Sequence, residues 1–167
     1  MSPNWEGAAS QSWLHVPDVA QVVLANLQQC GYDERPLPVQ QHACPIIASG
    51  RCLIATAETG SGKTAAYLVP IISHISNRRS ASAPPHDPAD SVKRPVAVIV
   101  ATTHELVEQI SSAAIQLAHG TGVRVSVASG RLELKQQREQ LQRGFHLLVA
   151  TVGRALPYFQ VLCVLCA

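Results

Sequence analysis

The chain has 167 residues, which suffices for one domain with a buried core but is short for two nucleotide-handling lobes. Its composition, 47% apolar and 14% charged, excludes an intrinsically disordered chain, and a net charge of +2 from scattered Lys and Arg residues identifies no nucleic-acid partner by itself. The sequence shows no secretory signal, no apolar run of about 18 residues and no disulfide framework among its five cysteines, so we expect an intracellular protein without a membrane partner.

The first half of the chain predicts helices around one buried strand. Apolar residues recur at helical spacing between Pro17 and Cys30, and Gly31 ends that helix. An N-terminal extension, residues 1–16, precedes it. The predicted elements that follow are a helix over 38–48, a strand over Cys52–Thr56 and a helix from Lys63 to about Ser76.

The second half predicts strands that alternate with helices. Residues 78–95 are rich in Ser, Pro and Asp without periodicity, so we expect an exposed loop there. The elements after it are a strand over 95–101, a helix over 104–119, a strand over 123–129, a helix over 132–143 and a strand over 145–151, followed by an apolar tail over 157–167. This alternation predicts one α/β domain, residues 17–156, with a parallel sheet between layers of helices.

The stretch ATAETGSGKTAAY, residues 55–67, lies between a predicted strand and a predicted helix, which is the context of a P-loop. Gly60 and Gly62 let the backbone turn N–H groups toward phosphate oxygens at the helix N-terminus. Lys63 supplies a positive charge to the β and γ phosphates, and the Thr64 hydroxyl is a candidate Mg²⁺ ligand. The predicted phosphate and Mg²⁺ site consists of Ala57, Glu58, Thr59, Gly60, Ser61, Gly62, Lys63 and Thr64.

The upstream stretch GYDERPLPVQQHACPIIASGR, together with this P-loop, resembles the DEAD-box ATP-dependent RNA helicases, most of all their Vasa-like branch. The resemblance implies a RecA-like fold, ATP and Mg²⁺ as cofactors, and RNA as a partner. It implies an adenine site at Gln40, whose alternative is a helix-surface glutamine, with Tyr32 beside it. The family's base-stacking aromatic would be Trp13 or, less well spaced, Trp5, and either can equally be a packing residue.

Three downstream stretches resemble the RNA-contacting motifs of that family, with departures. VIVATTHELVEQI places His104 where the family has arginine, and VASGR places Arg131 in the second position of a glycine doublet. An imidazole that is largely neutral at pH 7 contacts phosphate more weakly than a guanidinium, so we expect impaired RNA binding. The RNA-binding residues implied by the resemblance are Thr103, His104, Gly130, Arg131, Thr151, Gly153 and Arg154.

The family continues after these motifs to a Walker B strand with acidic residues and to a second lobe with an arginine finger. Here the last acidic residue is Glu139. The resemblance therefore predicts an incomplete catalytic set, a sheet incomplete at its C-terminal side and negligible ATP hydrolysis, with exposed apolar edges that favour association with other helicase chains.

Two further alternatives concern function, and a third concerns the tail. A non-catalytic nucleotide- or RNA-binding module that modulates complete helicases fits the same residues. A small kinase or GTPase is disfavoured, since no Asn-Lys-x-Asp guanine reader occurs. Cys163 and Cys166 form a lone CxxC, which we interpret as apolar filler in preference to a zinc site because no second ligand pair accompanies it.

Overall fold

The structure is a computed structural model that describes residues 12–16, 18–81, 95–130 and 144–159. The predicted helix over 132–143 and residues 82–94 of the predicted loop lie outside these ranges. The elements are a 3-10 helix (Trp13–His15), α1 (Gln21–Gln29), α2 (Pro38–Ala48), α3 (Lys63–Ala81), β1 (Ala97–Ala101), α4 (His104–Ala118), β2 (Val125–Ala128), β3 (Leu147–Thr151) and α5 (Val152–Phe159).

The strands form a parallel sheet in the order β1, β3, β2. Ala101 pairs with Thr151 and Ala128 pairs with Ala150, so the carboxyl ends of the strands lie at one edge of the sheet. Every residue of β3 is buried, which explains why its sequence, LLVAT, is nearly all apolar instead of alternating with polar residues. The predicted parallel sheet is confirmed.

Helices cover both faces of this sheet. Leu147 and Val149 of β3 pack into a core shared with α1, α3 and α4. Leu148 and Ala150 point to the opposite face, where they pack with Ala155 of α5. Because successive strand residues alternate between faces, one apolar strand supplies both cores. The predicted α/β class, a sheet sandwiched by helices, is confirmed.

The structure changes the predicted bounds of two helices. α1 begins at Gln21 and not near Pro17, because Asp18 has φ of +60°, a left-handed conformation that a right-handed helix excludes. α3 continues to Ala81, since residues 77–81 include neither glycine nor proline. Its last turn therefore overlaps the start of the predicted loop over 78–95.

The predicted strand over Cys52–Thr56 is absent, and this prediction was wrong. The segment has no secondary structure, and Ile54 is 88% exposed. Within the described ranges, no strand lies beside it to accept or donate backbone hydrogen bonds. A strand forms by pairing with a neighbour, so an apolar run without one remains an extended, unpaired segment.

A buried asparagine joins α1 to the end of α4. The Asn26 side chain is 5% exposed, and its amide nitrogen donates to the carbonyls of Leu117, at 2.8 Å, and His119, at 2.7 Å. These carbonyls belong to the last turn of α4 and its C-cap, where helix carbonyls lack partners of their own. Asn26 therefore fixes the position of α1 against α4.

Within the ranges that the structure describes, no helix is both long enough and apolar enough to cross a membrane.

Candidate nucleotide site and nucleic-acid edge

The glycine loop leads directly into α3, whose first residue is Lys63. Gly60 and Gly62 have φ of +84° and +87°, the left-handed region that L side chains rarely adopt. Residues 55–60 are exposed and 61–64 are half-buried, so the loop is open to solvent at the N-terminus of a long helix. This geometry is suited to binding an anionic group through backbone N–H groups.

Lys63 is folded back over the loop. Its Nζ donates to the carbonyl oxygens of Ala57 and Glu58, both at 2.5 Å. These two bonds hold the ammonium group over the glycine loop, at the place where phosphates would bind. A bound phosphate has to compete with these carbonyls for the lysine.

Gln40 connects α2 to the loop and is only 1% exposed. Its Oε1 accepts from the backbone N–H of Leu37 at 2.7 Å, and its Nε2 donates to the Gly62 carbonyl at 3.1 Å. A Cβ on Gly62 would lie 2.5 Å from Nε2 of Gln40 and 2.8 Å from Cδ1 of Leu37. Sequence reasoning missed this contact, because residues 22 positions apart give no local signal of their proximity.

Two of the three aromatic candidates for the adenine site, Trp13 and Tyr32, lie near α1, and Trp5 lies outside the described residues. Trp13 is 5% exposed and part of the main core, and its Nε1 donates to the Asp33 carbonyl at 3.0 Å. Tyr32 is half-buried against the same core, and burial, with a smaller effect of Cys30, raises the pKa of its phenol. The structure thus uses Trp13 for packing, and a base could stack on it only after the ring became exposed.

An apolar groove of about 310 Å³ lies between α2, the segment after it and α3. Tyr67 lines this groove together with Lys63. Burial raises the pKa of the Tyr67 phenol, an effect opposed by its hydrogen bond with the Thr64 side chain. The side chain of Thr64, the predicted Mg²⁺ ligand, thus lies near the Tyr67 phenol at the same end of α3.

The described members of the set predicted to contact RNA lie at the carboxyl edge of the sheet. Thr103 follows β1 and caps α4, its Oγ1 accepting from the backbone N–H of Leu106 at 3.2 Å. Thr151 is the last residue of β3, and Gly153 and Arg154 lie in the first turn of α5. Because the strands are parallel, these chain segments converge although they are far apart in sequence.

His104 and Gly130 are in contact at the same edge. A Cβ on Gly130 would lie 2.9 Å from Cε1 and 3.2 Å from Nε2 of the His104 ring. The Nδ1 atom of His104 is buried and has no hydrogen-bond partner among the described residues. Gly130 thus leaves room for the imidazole that replaces the family's arginine. Arg131 lies outside the described residues.

Among the described residues, no group of three or more His, Cys, Asp or Glu side chains could hold a metal ion. Cys30, Cys44 and Cys52 are free thiols. Cys44 is buried, its Sγ donates to the Ala66 carbonyl at 3.3 Å, and burial raises its pKa to about 12. It therefore remains a neutral packing thiol at physiological pH. Cys163 and Cys166 lie outside the described residues.

Comparisons with known proteins match this arrangement. Residues 37–163 match the family described as DEAD/DEAH box helicase. The chain is 41% identical over 140 residues to DEAD-box ATP-dependent RNA helicase 52A of Oryza sativa subsp. japonica, covering 81% of this chain and 23% of that protein. It is 37% identical over 141 residues to ATP-dependent RNA helicase vasa of Drosophila melanogaster, covering 84% of this chain and 20% of that protein.

Solved structures of similar fold are the DEAD-box splicing factor Prp28 of yeast and the RNA helicase Prp28 of Chaetomium thermophilum bound to ADP. The first has a TM-score of 0.73 at 25% identity, and the second 0.74 at 32% identity. Each alignment covers 94% of this chain and 36% of the other. The chain thus spans about a third of these structures and less than a quarter of the two curated relatives.

Proposed function

Since the chain belongs to the DEAD/DEAH box helicase family, we propose that it is an ATP- and RNA-binding lobe of an RNA helicase that does not hydrolyse ATP on its own. The observation that carries this proposal is the loop before α3. Two glycines of positive φ flank Ser61, and Lys63 begins the helix beside a buried Gln40 that is bonded to Gly62.

The phosphates of ATP would bind between the loop N–H groups and Lys63. The ammonium would leave the carbonyls of Ala57 and Glu58 and pair with the β and γ phosphates, a stronger, charge-assisted contact. Mg²⁺ prefers oxygen ligands and usually takes few from the protein, so the Thr64 hydroxyl fits one position of its coordination shell. The ion would neutralise phosphate charge there.

Adenine recognition is proposed for Gln40, with Tyr32 and Trp13 as further candidates. An amide has two donor hydrogens and two acceptor lone pairs, and the structure uses one of each. The remaining donor and acceptor match the N7 and N6 edge of adenine. Because the Gln40 side chain is only 1% exposed, its amide can reach a base only after the residues that cover it move, and it would then bind the base and the phosphate loop at the same time.

RNA binding is proposed for the carboxyl edge of the sheet, through Thr103, His104, Gly130, Arg131, Thr151, Gly153 and Arg154. Hydroxyl, backbone and Arg154 contacts to the sugar-phosphate backbone give affinity without base specificity. His104 contributes less than an arginine, because an imidazole lacks the permanent charge and the forked set of donors that a guanidinium offers to a phosphate. We infer weak RNA binding that is sensitive to salt.

The lack of hydrolysis is inferred from the sequence after β3. Residues 140–167 contain no Asp or Glu, so that part of the chain offers no carboxylate to hold a metal-bound water. This same feature favours a second candidate function, a non-catalytic lobe that associates with complete helicases and changes their activity. Adding the chain to a complete helicase of the family and measuring RNA unwinding separates the two.

The proposal is tested by calorimetric titration of MgATP into the chain, with and without RNA. Lys63→Ala should reduce ATP affinity by at least tenfold, because it removes the phosphate-binding charge. Arg51→Ala is the matched control, since Arg51 is an exposed cation whose described side-chain bond is to Ser49, and it should leave affinity unchanged. Equal ATP affinity in the original chain and Lys63→Ala would contradict a functional phosphate site. ATP turnover above the Lys63→Ala blank would contradict the inferred lack of hydrolysis.

A further inference from the structure

Leu37 lies directly before α2 and is bonded to Gln40 through its backbone. Its N–H donates to Oε1 of Gln40 at 2.7 Å, and its carbonyl oxygen accepts from the Gln40 backbone N–H at 2.8 Å. The Gln40 amide in turn donates to the Gly62 carbonyl at 3.1 Å. Both bonds of Leu37 use main-chain atoms, so its side chain can be replaced without removing either of them.

The Leu37 side chain and the Gln40 amide lie against the same point of the glycine loop. The position of a Cβ on Gly62 is 2.8 Å from Cδ1 of Leu37 and 2.5 Å from Nε2 of Gln40. Two atoms this close to one point are neighbours of each other. Leu37 is 41% exposed, whereas Gln40 is 1% exposed. The leucine is therefore the outer member of the pair and lies on the solvent side of the amide.

Movement of Leu37 costs little, because a large part of its side chain is already in water and only the covered part loses apolar contacts. The Gln40 amide gains from this movement, since one N–H and one acceptor lone pair are not used in its bonds with Leu37 and Gly62. A base can form a hydrogen bond with these groups only when they are uncovered. The position of one side chain therefore decides whether the amide takes part in binding.

We propose that the Leu37 side chain covers the Gln40 amide and that an adenine base must displace it to reach that amide. The inference rests on the proposed nucleotide site and adds a residue that controls its selectivity. Leu37 lowers the affinity for the base, while the exposed residues 55–60 and the half-buried Lys63 remain accessible to phosphates. Binding of a triphosphate without a base is then independent of Leu37, and binding of ATP depends on it.

The experiment is calorimetric titration of MgATP and of magnesium tripolyphosphate into the chain and into Leu37→Ala. The shorter side chain uncovers the amide, so the affinity for MgATP should rise roughly three- to tenfold, the effect of one net hydrogen bond. The affinity for tripolyphosphate should stay within about twofold. Leu37→Met, which restores the side-chain volume, should bind both ligands as the original chain does.

Two further variants separate the cover from other effects. Leu106→Ala is the matched control, since Leu106 is a 38% exposed leucine in the first turn of α4, and it should change neither affinity. Leu37→Ala combined with Gln40→Ala should bind MgATP no better than Gln40→Ala alone, because the uncovered position no longer carries an amide. The proposal is overturned if Leu37→Ala does not bind MgATP more tightly, if tripolyphosphate gains as much as MgATP, or if the gain persists without Gln40.

Exchange of the Gln40 side-chain amide hydrogens with water, measured by NMR without nucleotide, tests the cover directly. The exchange should be faster in Leu37→Ala than in the original chain and unchanged in Leu106→Ala. Equal exchange rates in all three proteins overturn the proposal even if ATP binds. Failure of the proposed nucleotide site gives a different result, because Lys63→Ala then binds MgATP and tripolyphosphate as the original chain does, while the exchange rate still reports on Leu37.

Discussion

At Gly62, backbone conformation and available space both require the absence of a side chain. Gly62 has φ of +87°, and Nε2 of Gln40 would lie 2.5 Å from a Cβ there. Gly60 has nearly the same φ but nothing within 4 Å of its Cβ position. Substituting each glycine by alanine therefore distinguishes the cost of the left-handed backbone conformation from the cost of the contact with Gln40.

We predict that Gly62→Ala lowers the free energy of unfolding more than Gly60→Ala. Each substitution costs about 1 to 2 kcal/mol for a left-handed alanine. Gly62→Ala additionally displaces Gln40 from a partly buried hydrogen bond, which adds roughly 1 to 3 kcal/mol. Urea unfolding without nucleotide measures both. Equal losses would mean that the contact between Gln40 and Gly62 adds nothing to stability.

Between elements, Asn26 provides the described side-chain hydrogen bonds that link α1 to the end of α4. We predict that Asn26→Leu lowers the free energy of unfolding by roughly 2 to 4 kcal/mol, because two buried or partly buried carbonyls lose their donor. Gln28→Leu, on the exposed side of the same helix, should change it by no more than about 0.5 kcal/mol. Thermal and urea unfolding of both variants provide the comparison, and a similar small effect in both would show that packing alone positions α1.

The sequence predicts elements well where the local pattern determines them. α2 occupies the predicted residues 38–48. The parallel pairing of β1, which ends just before His104, with β3, which ends at Thr151, is predicted by the alternation of strands and helices along the chain. The predicted strand over Cys52–Thr56 is wrong because an apolar run indicates a strand but does not indicate whether a neighbouring strand pairs with it. The loop glycines follow from the motif, whereas the bond of Gln40 to the loop depends on tertiary packing.

On the scale of the whole molecule, nucleotide binding should stabilise the fold, since the phosphate loop is joined to α2 through Gln40 and to α3 through Lys63. A ligand at 100 times its Kd stabilises the native state by about 2.7 kcal/mol. For a chain of this size, that corresponds to a rise in Tm of roughly 5 to 10 °C. We predict this rise with saturating MgATP, measured by thermal unfolding.

Lys63→Ala distinguishes site binding from a general effect of ATP on unfolding. The variant should keep its Tm without nucleotide to within a few degrees, because Lys63 is half-buried and its described bonds go to two carbonyls of the exposed loop. It should lose most of the rise with MgATP, since the phosphates lose their charged partner. The same rise in Tm with MgATP in both proteins would mean that ATP binds elsewhere on the molecule and that the loop before α3 is not the nucleotide site.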